Sequence, residues 1–501
     1  MNAPQTSSRD VLRSTTIVGS VTLITLIVGL ARAKTVAVVL GTQGVGLIGI
    51  YTSILAMAFS IAGFGIHSSG VRQIAASAED PVAAELSLRA LWTLSIVLAM
   101  IGGGLFWLVR HPVTVLVTGT DRYVAEVGWL SLGIVFSMLS GAMMASIQGF
   151  RRMGDFARMQ LFGTVAAAIV GVGAVVMFGE AGVVVVVLAP SAAACVFGYA
   201  YARKLPVKPR FGERTSVLPI WKALIRVGIA ITVTALMGSA TQIAARTIVV
   251  RETGLDGAGL FQAAWAISAI NIGLLLAAMG ADYYPRLSGV AHDPKLMSEE
   301  VNRQVHVALV LAGPLLVGVT AMAPVVLWLL YSRDFGRATE LLQWLTAADA
   351  LRLTGWALGF VMLARQASFS YVAIEASFGL VFVPALLVLA PLIGLPAAGV
   401  AYFAGYLICL IVSMTLARYL HGVAVSRTNM VWTGALTALL VGLTMLYTAA
   451  PLLAAIIGVL AALGLTVHSL GEIARMGVSI PVIGPVLDGV TARGRAWLRR
   501  D

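Results

Sequence analysis

Apolar residues in this chain neither alternate nor keep to one helical stripe; they run in blocks long enough to cross a bilayer. Residues 21–30 and 183–189 are apolar on every face. That pattern suits a lipid-surrounded helix and not a barrel strand of roughly ten alternating residues. A helical span takes about 20 such residues and satisfies its own backbone hydrogen bonds. The runs predict fourteen spans, near 14–40, 46–76, 86–109, 123–149, 157–178, 182–203, 221–250, 258–287, 301–331, 339–365, 370–391, 396–419, 429–449 and 451–471. Only Ala450 and Pro451 divide the last two, so twelve is the alternative count.

The polar positions between the runs repeat. Arg13 recurs at Arg226, and Gly41, Gly44, Gly46 and Leu47 recur at Gly254, Gly257, Gly259 and Leu260, every pair separated by the same interval. Such duplication in a membrane chain predicts two related halves with a site between them. The expected fold is all-α and polytopic: two six-helix lobes about a pseudo-twofold along the membrane normal, plus two C-terminal helices. Residues 1–203 form the N-terminal lobe and 221–420 the C-terminal lobe, joined by a Pro-rich basic linker at 204–220. The two extra spans occupy 421–480, and 481–501 reads as an interfacial amphipathic tail with Trp497 among arginines.

Composition agrees, with 59% hydrophobic and 11% charged residues, against the roughly 25% charge of a soluble domain. The net charge of +12 is mostly topology. With the N-terminus inside, cytoplasmic segments collect 25 of the 34 basic residues, which by the positive-inside rule places both termini in the cytoplasm. These charges are spread over short loops, so no nucleic acid is expected as a partner. Ala31-Arg32-Ala33 looks like a signal-peptidase site, but the apolar run before it is too long for a cleaved leader.

Charges inside spans carry the functional expectation, because they are costly in lipid and face a protein interior or aqueous cavity. Arg32 and Lys34 lie late in span one, and Arg246 falls at the matching depth of span seven. Basic groups so placed suit a phosphate or pyrophosphate. The competing reading is that Arg32 and Lys34 snorkel to the outer headgroups. Span two ends in G-F-G-I-H-S-S-G-V-R-Q-I-A, Gly63 to Ala75, which bends a helix near His67 and Arg72. Arg72 is either a cytoplasmic anchor or a substrate contact, and His67 either a packed histidine or a functional one. In span ten, Arg352, a further candidate for substrate binding, lies three residues after Asp349. Asp282, Asp349 and Glu375 are the only acids well inside the proposed spans, away from their first few residues, and all are in the second half. They are the candidates for coupling to H⁺ or Na⁺, although Asp282 also has Arg286 one turn away for a local pair.

No catalytic spacing, metal-ligand cluster or cofactor motif is present, so an enzyme is not expected. Cys195 and Cys409 lie in separate spans, and G-x-x-G-x-G lacks the Lys-Ser/Thr of a phosphate loop.

Four segments together resemble a known family. They are S-T-T-I-V-G-S near the start, the block Gly29 to Tyr51, Gly63 to Ala75, and A-D-Y-Y-P-R-L-S at Ala281 to Ser288. The chain resembles O-antigen translocases, Wzx-type flippases of the multidrug/oligosaccharidyl-lipid/polysaccharide exporter superfamily. The resemblance implies a V-shaped pair of lobes around a cationic cavity. It implies passage of undecaprenyl-diphosphate-linked repeat units across the bacterial inner membrane, with membrane lipids, a polymerase and a chain-length regulator as partners. Arg32, Lys34 and Arg72 match positions where that family carries basic residues. The two extra spans resemble lipid II flippases. The alternatives are a multidrug or cation antiporter, which calls for an acid in span one where Arg32 and Lys34 stand, and a membrane-embedded polymerase or ligase, which calls for a large extracytoplasmic loop.

Overall fold

The computed structural model describes residues 8–209 and 217–475. The expected tail at 481–501 and part of the basic linker lie outside them. Among the described residues there is no strand. Fourteen α-helices follow in order: α1 (Ser8–Gly63), α2 (Ile66–Ser77), α3 (Pro81–Thr118), α4 (Val124–Gly149), α5 (Met153–Phe178), α6 (Val183–Ala202), α7 (Leu218–Gly289), α8 (Pro294–Ala321), α9 (Ala323–Leu330), α10 (Thr339–Ala364), α11 (Ser368–Ile393), α12 (Pro396–His421), α13 (Arg427–Ala449) and α14 (Pro451–Arg475). Eleven stretches are long and apolar enough to cross a membrane. Three of them, Val21–Gly63, Met153–Ala202 and Thr232–Gly273, are 43, 50 and 42 residues long, about twice what one crossing needs. Ala450 separates α13 from α14.

The duplicated glycines explain two very long helices. Within α1 the one non-helical residue is Gly41, with φ 65° and ψ −161°; within α7 it is Gly254, with φ 71° and ψ −174°. That region of backbone space is open essentially to glycine alone. The glycine-rich junction is therefore a one-residue bend between helical segments. The next pair of the cluster has a different purpose. A Cβ on Gly46 would meet the Leu255 carbonyl at 2.4 Å, and one on Gly259 would collide with the Thr42 carbonyl. Glycine at both lets the start of the second segment of α1 lie backbone to backbone against that of α7. Thr42 Oγ1 donates to Asp256 Oδ1 at the same place.

The repeat runs further than its glycines. Asp80-Pro81 and Asp293-Pro294 start α3 and α8, at the same interval as the glycine pairs. Each Asp caps its helix by accepting from a backbone N–H two positions on, at 2.9 Å for Val82 and 2.7 Å for Lys295. Proline at the first helical position needs no donor there. Helices α4 and α10 are both 26 residues long, as are α5 and α11. Their starts, Val124 against Thr339 and Met153 against Ser368, share one interval with each other, slightly longer than that of the glycines.

Packing divides the described chain into two compact units, one within Met1–Gln262 and Trp328–Phe335, the other within Ala263–Leu327 and Gly336–Asp501. The division falls inside α7 rather than at the basic linker, since the glycine approach ties the first part of α7 to α1. The core of the first unit joins Ile50 and Ile54 of α1, Leu130 and Ile134 of α4 and Val183 of α6. That of the second joins Val301 and Val305 of α8, Leu353 and Leu358 of α10 and Leu440 of α13. The two extra helices belong to this second core. Asn429 of α13 donates to the Asn302 carbonyl of α8 at 2.8 Å, and Ser469 of α14 to the Val310 carbonyl at 2.6 Å.

Candidate functional site

The first unit carries the basic candidates. Lys34 projects from α1 to the end of α9, where its Nζ donates to the carbonyls of Leu329 at 2.7 Å, Trp328 at 3.2 Å and Tyr331 at 3.4 Å. A helix end leaves carbonyls unpaired and carries a partial negative charge, so an ammonium is favoured there. Arg246 is 5% exposed and donates through Nη1 to the Gly49 carbonyl of α1, while its Nε is buried without a hydrogen bond. Arg32 is half-buried and, among the described residues, makes no hydrogen bond or ion pair. No such contact joins Arg32, Lys34 and Arg246 to one another, and each has separate surroundings.

Helix α2 places the other two. The bend expected from its glycines is present, with Gly65 left-handed at the helix start. His67 is half-buried with Nδ1 3.1 Å from the Gly141 carbonyl of α4, a packed histidine tied to backbone. Arg72 is exposed and, among the described residues, has no ion pair.

The second unit gathers what the sequence left scattered. Asp349 of α10 is 0% exposed, accepts from Ser268 of α7 at 2.7 Å through Oδ2, and has Arg352 Nη1 3.9 Å from Oδ1. Arg352 in turn lies 3.5 Å from the Tyr402 hydroxyl and 5.4 Å from the centre of the Tyr406 ring, both on α12. Glu375 of α11, an exposed residue one turn after Tyr371, interacts electrostatically with the same guanidinium, without an ion pair to it inside 4.0 Å. Two acids thus stand around one arginine. If both are ionised, the cluster carries one negative charge in excess. Asp349 is buried while Glu375 is exposed, and an unpaired acid at membrane depth is costly enough that such a group takes up a proton or a cation.

Asp282 stands apart from this cluster. It is 75% exposed and pairs with Arg286 at 3.0 Å, the local arrangement its spacing allowed. Sequence reasoning missed Ser268, Tyr371, Tyr402 and Tyr406. The available signal was the one-turn spacing of Tyr371 to Glu375 and of Tyr402 to Tyr406, which puts each pair on one helix face. When α10 and α11 are aligned with α4 and α5 from their first residues, Asp349, Arg352 and Glu375 fall on Ile134, Ser137 and Gln160. The charged cluster therefore has no counterpart in the first copy.

A family described as "Polysaccharide biosynthesis protein" matches residues 35–340. No curated protein sequence matches the chain. Among solved structures, the inward closed conformation of the lipid II flippase MurJ aligns with 13% identity and TM-score 0.69, covering 91% of this chain and 99% of that one. An inward-facing multidrug resistance transporter of the MATE family and MOP superfamily aligns with 15% identity and TM-score 0.66, covering 79% and 94%. A Pyrococcus furiosus transporter of that superfamily, described as having a binding pocket of reverse polarity, aligns with 15% identity and TM-score 0.56, covering 81% and 93%. These likenesses establish a shared fold.

Proposed function

Because the chain belongs to the polysaccharide biosynthesis protein family, we propose that it is a flippase for undecaprenyl-diphosphate-linked oligosaccharides, moving them from the cytoplasmic to the periplasmic leaflet of a bacterial inner membrane. The family match is the observation that carries this reading. The fold adds support: the lipid II flippase covers 91% of this chain and the multidrug transporter 79%. Cations in place of an acid on the first span also suit an anionic cargo better than a cationic drug.

In this reading the pyrophosphate head engages Arg32, which has no partner among the described residues to surrender, with Arg72 as a second contact. Lys34 joins only by leaving the α9 carbonyls. Arg246 acts from a fixed position on Gly49. The lobes alternate in access while the polyprenyl tail stays in lipid. Asp349 and Glu375 supply the coupling site for H⁺ or Na⁺, with Arg352 between them. Asp282, exposed and locally paired, has no part in it.

Charge reversal tests the cationic site. Arg32→Glu should reach the membrane at wild-type levels and fail to restore surface polysaccharide in a flippase-deficient cell, whereas Arg32→Lys should restore it. Full restoration by Arg32→Glu would sink the assignment.

A further inference from the structure

A cavity of about 210 Å³ opens within the second unit beside the Arg352 guanidinium. It is below the roughly 300–1,000 Å³ of sites for drug-sized ligands, so its occupant is about one ring in size. Its walls are of two kinds. Trp356, Phe360, Tyr371, Phe378 and Tyr406 contribute aromatic rings, while Arg352 and Glu375 contribute opposite charges. The rings brace one another: Trp356 and Phe360 lie 4.7 Å apart, Phe378 and Tyr406 4.4 Å. Space exists because Gly359 has no side chain; a Cβ there would stop 3.8 Å from the Tyr371 ring, in ordinary contact.

The chemistry of this lining is selective. Arg352 can only donate hydrogen bonds and an ionised Glu375 can only accept them. They are held too far apart to satisfy each other, with no ion pair inside 4.0 Å. A group that accepts from one wall and donates to the other is a hydroxyl. An alkyl chain would offer no hydrogen bond to the donors of Arg352 or the acceptors of Glu375 that line the cavity. A pyranose offers hydroxyls around its rim and apolar C–H faces for the aromatic walls.

We propose that this cavity binds a single sugar residue of the cargo, with Arg352 and Glu375 on its hydroxyls and the rings of Trp356 and Phe378 against its faces. The inference rests on the flippase reading and names a saccharide subsite that the pyrophosphate contacts do not provide.

The test uses the full chain in lipid nanodiscs and saturation-transfer difference NMR with free glucose, galactose, N-acetylglucosamine and glucuronate at millimolar concentrations. Wild type should transfer saturation to at least one of them. Gly359→Met, which fills the cavity, and Phe378→Leu, which removes a ring, should each weaken that binding about tenfold or more while still melting in one cooperative transition. If Gly359→Met does not fold, Phe378→Leu decides alone. No transfer from any sugar to wild type overturns the proposal, as does binding that survives either substitution. Export by the wild type in a flippase-deficient cell is scored separately. A chain that exports but binds no free sugar refutes the subsite only; one that binds sugar at this cavity but does not export refutes the flippase reading and leaves the subsite standing.

Discussion

Replacing Asp349 with Asn removes one charge from the Asp349, Arg352 and Glu375 cluster and changes little else. Asn has nearly the same shape, and its amide oxygen still accepts from Ser268, the present bond being 2.7 Å. The attraction lost, for charges 3.9 Å apart, is about 4 kcal/mol at an effective dielectric of about 20. Against this stands relief from burying a carboxylate that is 0% exposed, several kcal/mol per ion. The two nearly cancel, so Asp349→Asn should alter stability by no more than about 1 kcal/mol, a shift of a few degrees at most. Asp349→Leu should behave differently. Like Asn it removes the charge, but it also leaves the Ser268 hydroxyl, 3% exposed, without its acceptor, and an unsatisfied buried polar group costs about 1–3 kcal/mol. Transport is where Asn should show. With one acid gone the cluster is neutral and has no reason to take up a proton or Na⁺. The assay is flipping of a fluorescent lipid-linked oligosaccharide in proteoliposomes, with and without an imposed H⁺ or Na⁺ gradient. Wild type should accelerate with a gradient, and Asp349→Asn should flip at one rate regardless. A folded Asp349→Asn protein that responds to gradients as wild type does would refute the coupling assignment.

Other perturbations discriminate the remaining features. Gly259→Ala drives a Cβ into the Thr42 carbonyl and should destabilise by at least about 1–3 kcal/mol, read as a lowered melting midpoint. Alanine at Gly434, with open space around it, should not do so. Lys34→Gln should loosen the end of α9 by about 0.3–1 kcal/mol, seen as faster amide exchange around 328–331. Asp282→Asn removes one exposed ion pair and should change stability by less than about 1 kcal/mol with gradient-driven flipping intact; loss of coupling would restore Asp282 to the candidate set.

The sequence displayed its spans because lipid demands about 20 apolar residues at a time, a constraint visible in any window of chain. It displayed the duplication at Gly41 and Gly254 because a backbone conformation open only to glycine leaves little choice of residue. The contacts that matter chemically were hidden for the opposite reason. Lys34 finds carbonyls at the end of α9, far along the chain, and Arg352 finds Tyr402 on another helix. Periodicity reports which face of a helix is apolar, but not which helix that face meets. Asp282 and Asp349 looked alike as acids within predicted spans, yet one is 75% exposed at the side chain and the other 0%. The Asp80-Pro81 and Asp293-Pro294 caps were legible all along, since they recur at the glycines' own interval.

The one-residue bends at Gly41 and Gly254 also fix a phase. Helical geometry resumes at once on either side, so each residue added between Gly41 and Gly46 would turn the later face by about 100° and advance it by about 1.5 Å. Gly46 would then no longer point at Gly259, and the face that packs against α7 would be rotated out of contact. Loops elsewhere can lengthen without such penalty, as the longer interval between the starts of α4 and α10 than between those of α3 and α8 shows. The spacing within the two glycine clusters is identical. These bends are where the chain can tolerate substitution of neighbours but not insertion, and a one-residue insertion there should be more damaging than the loss of any single side chain nearby.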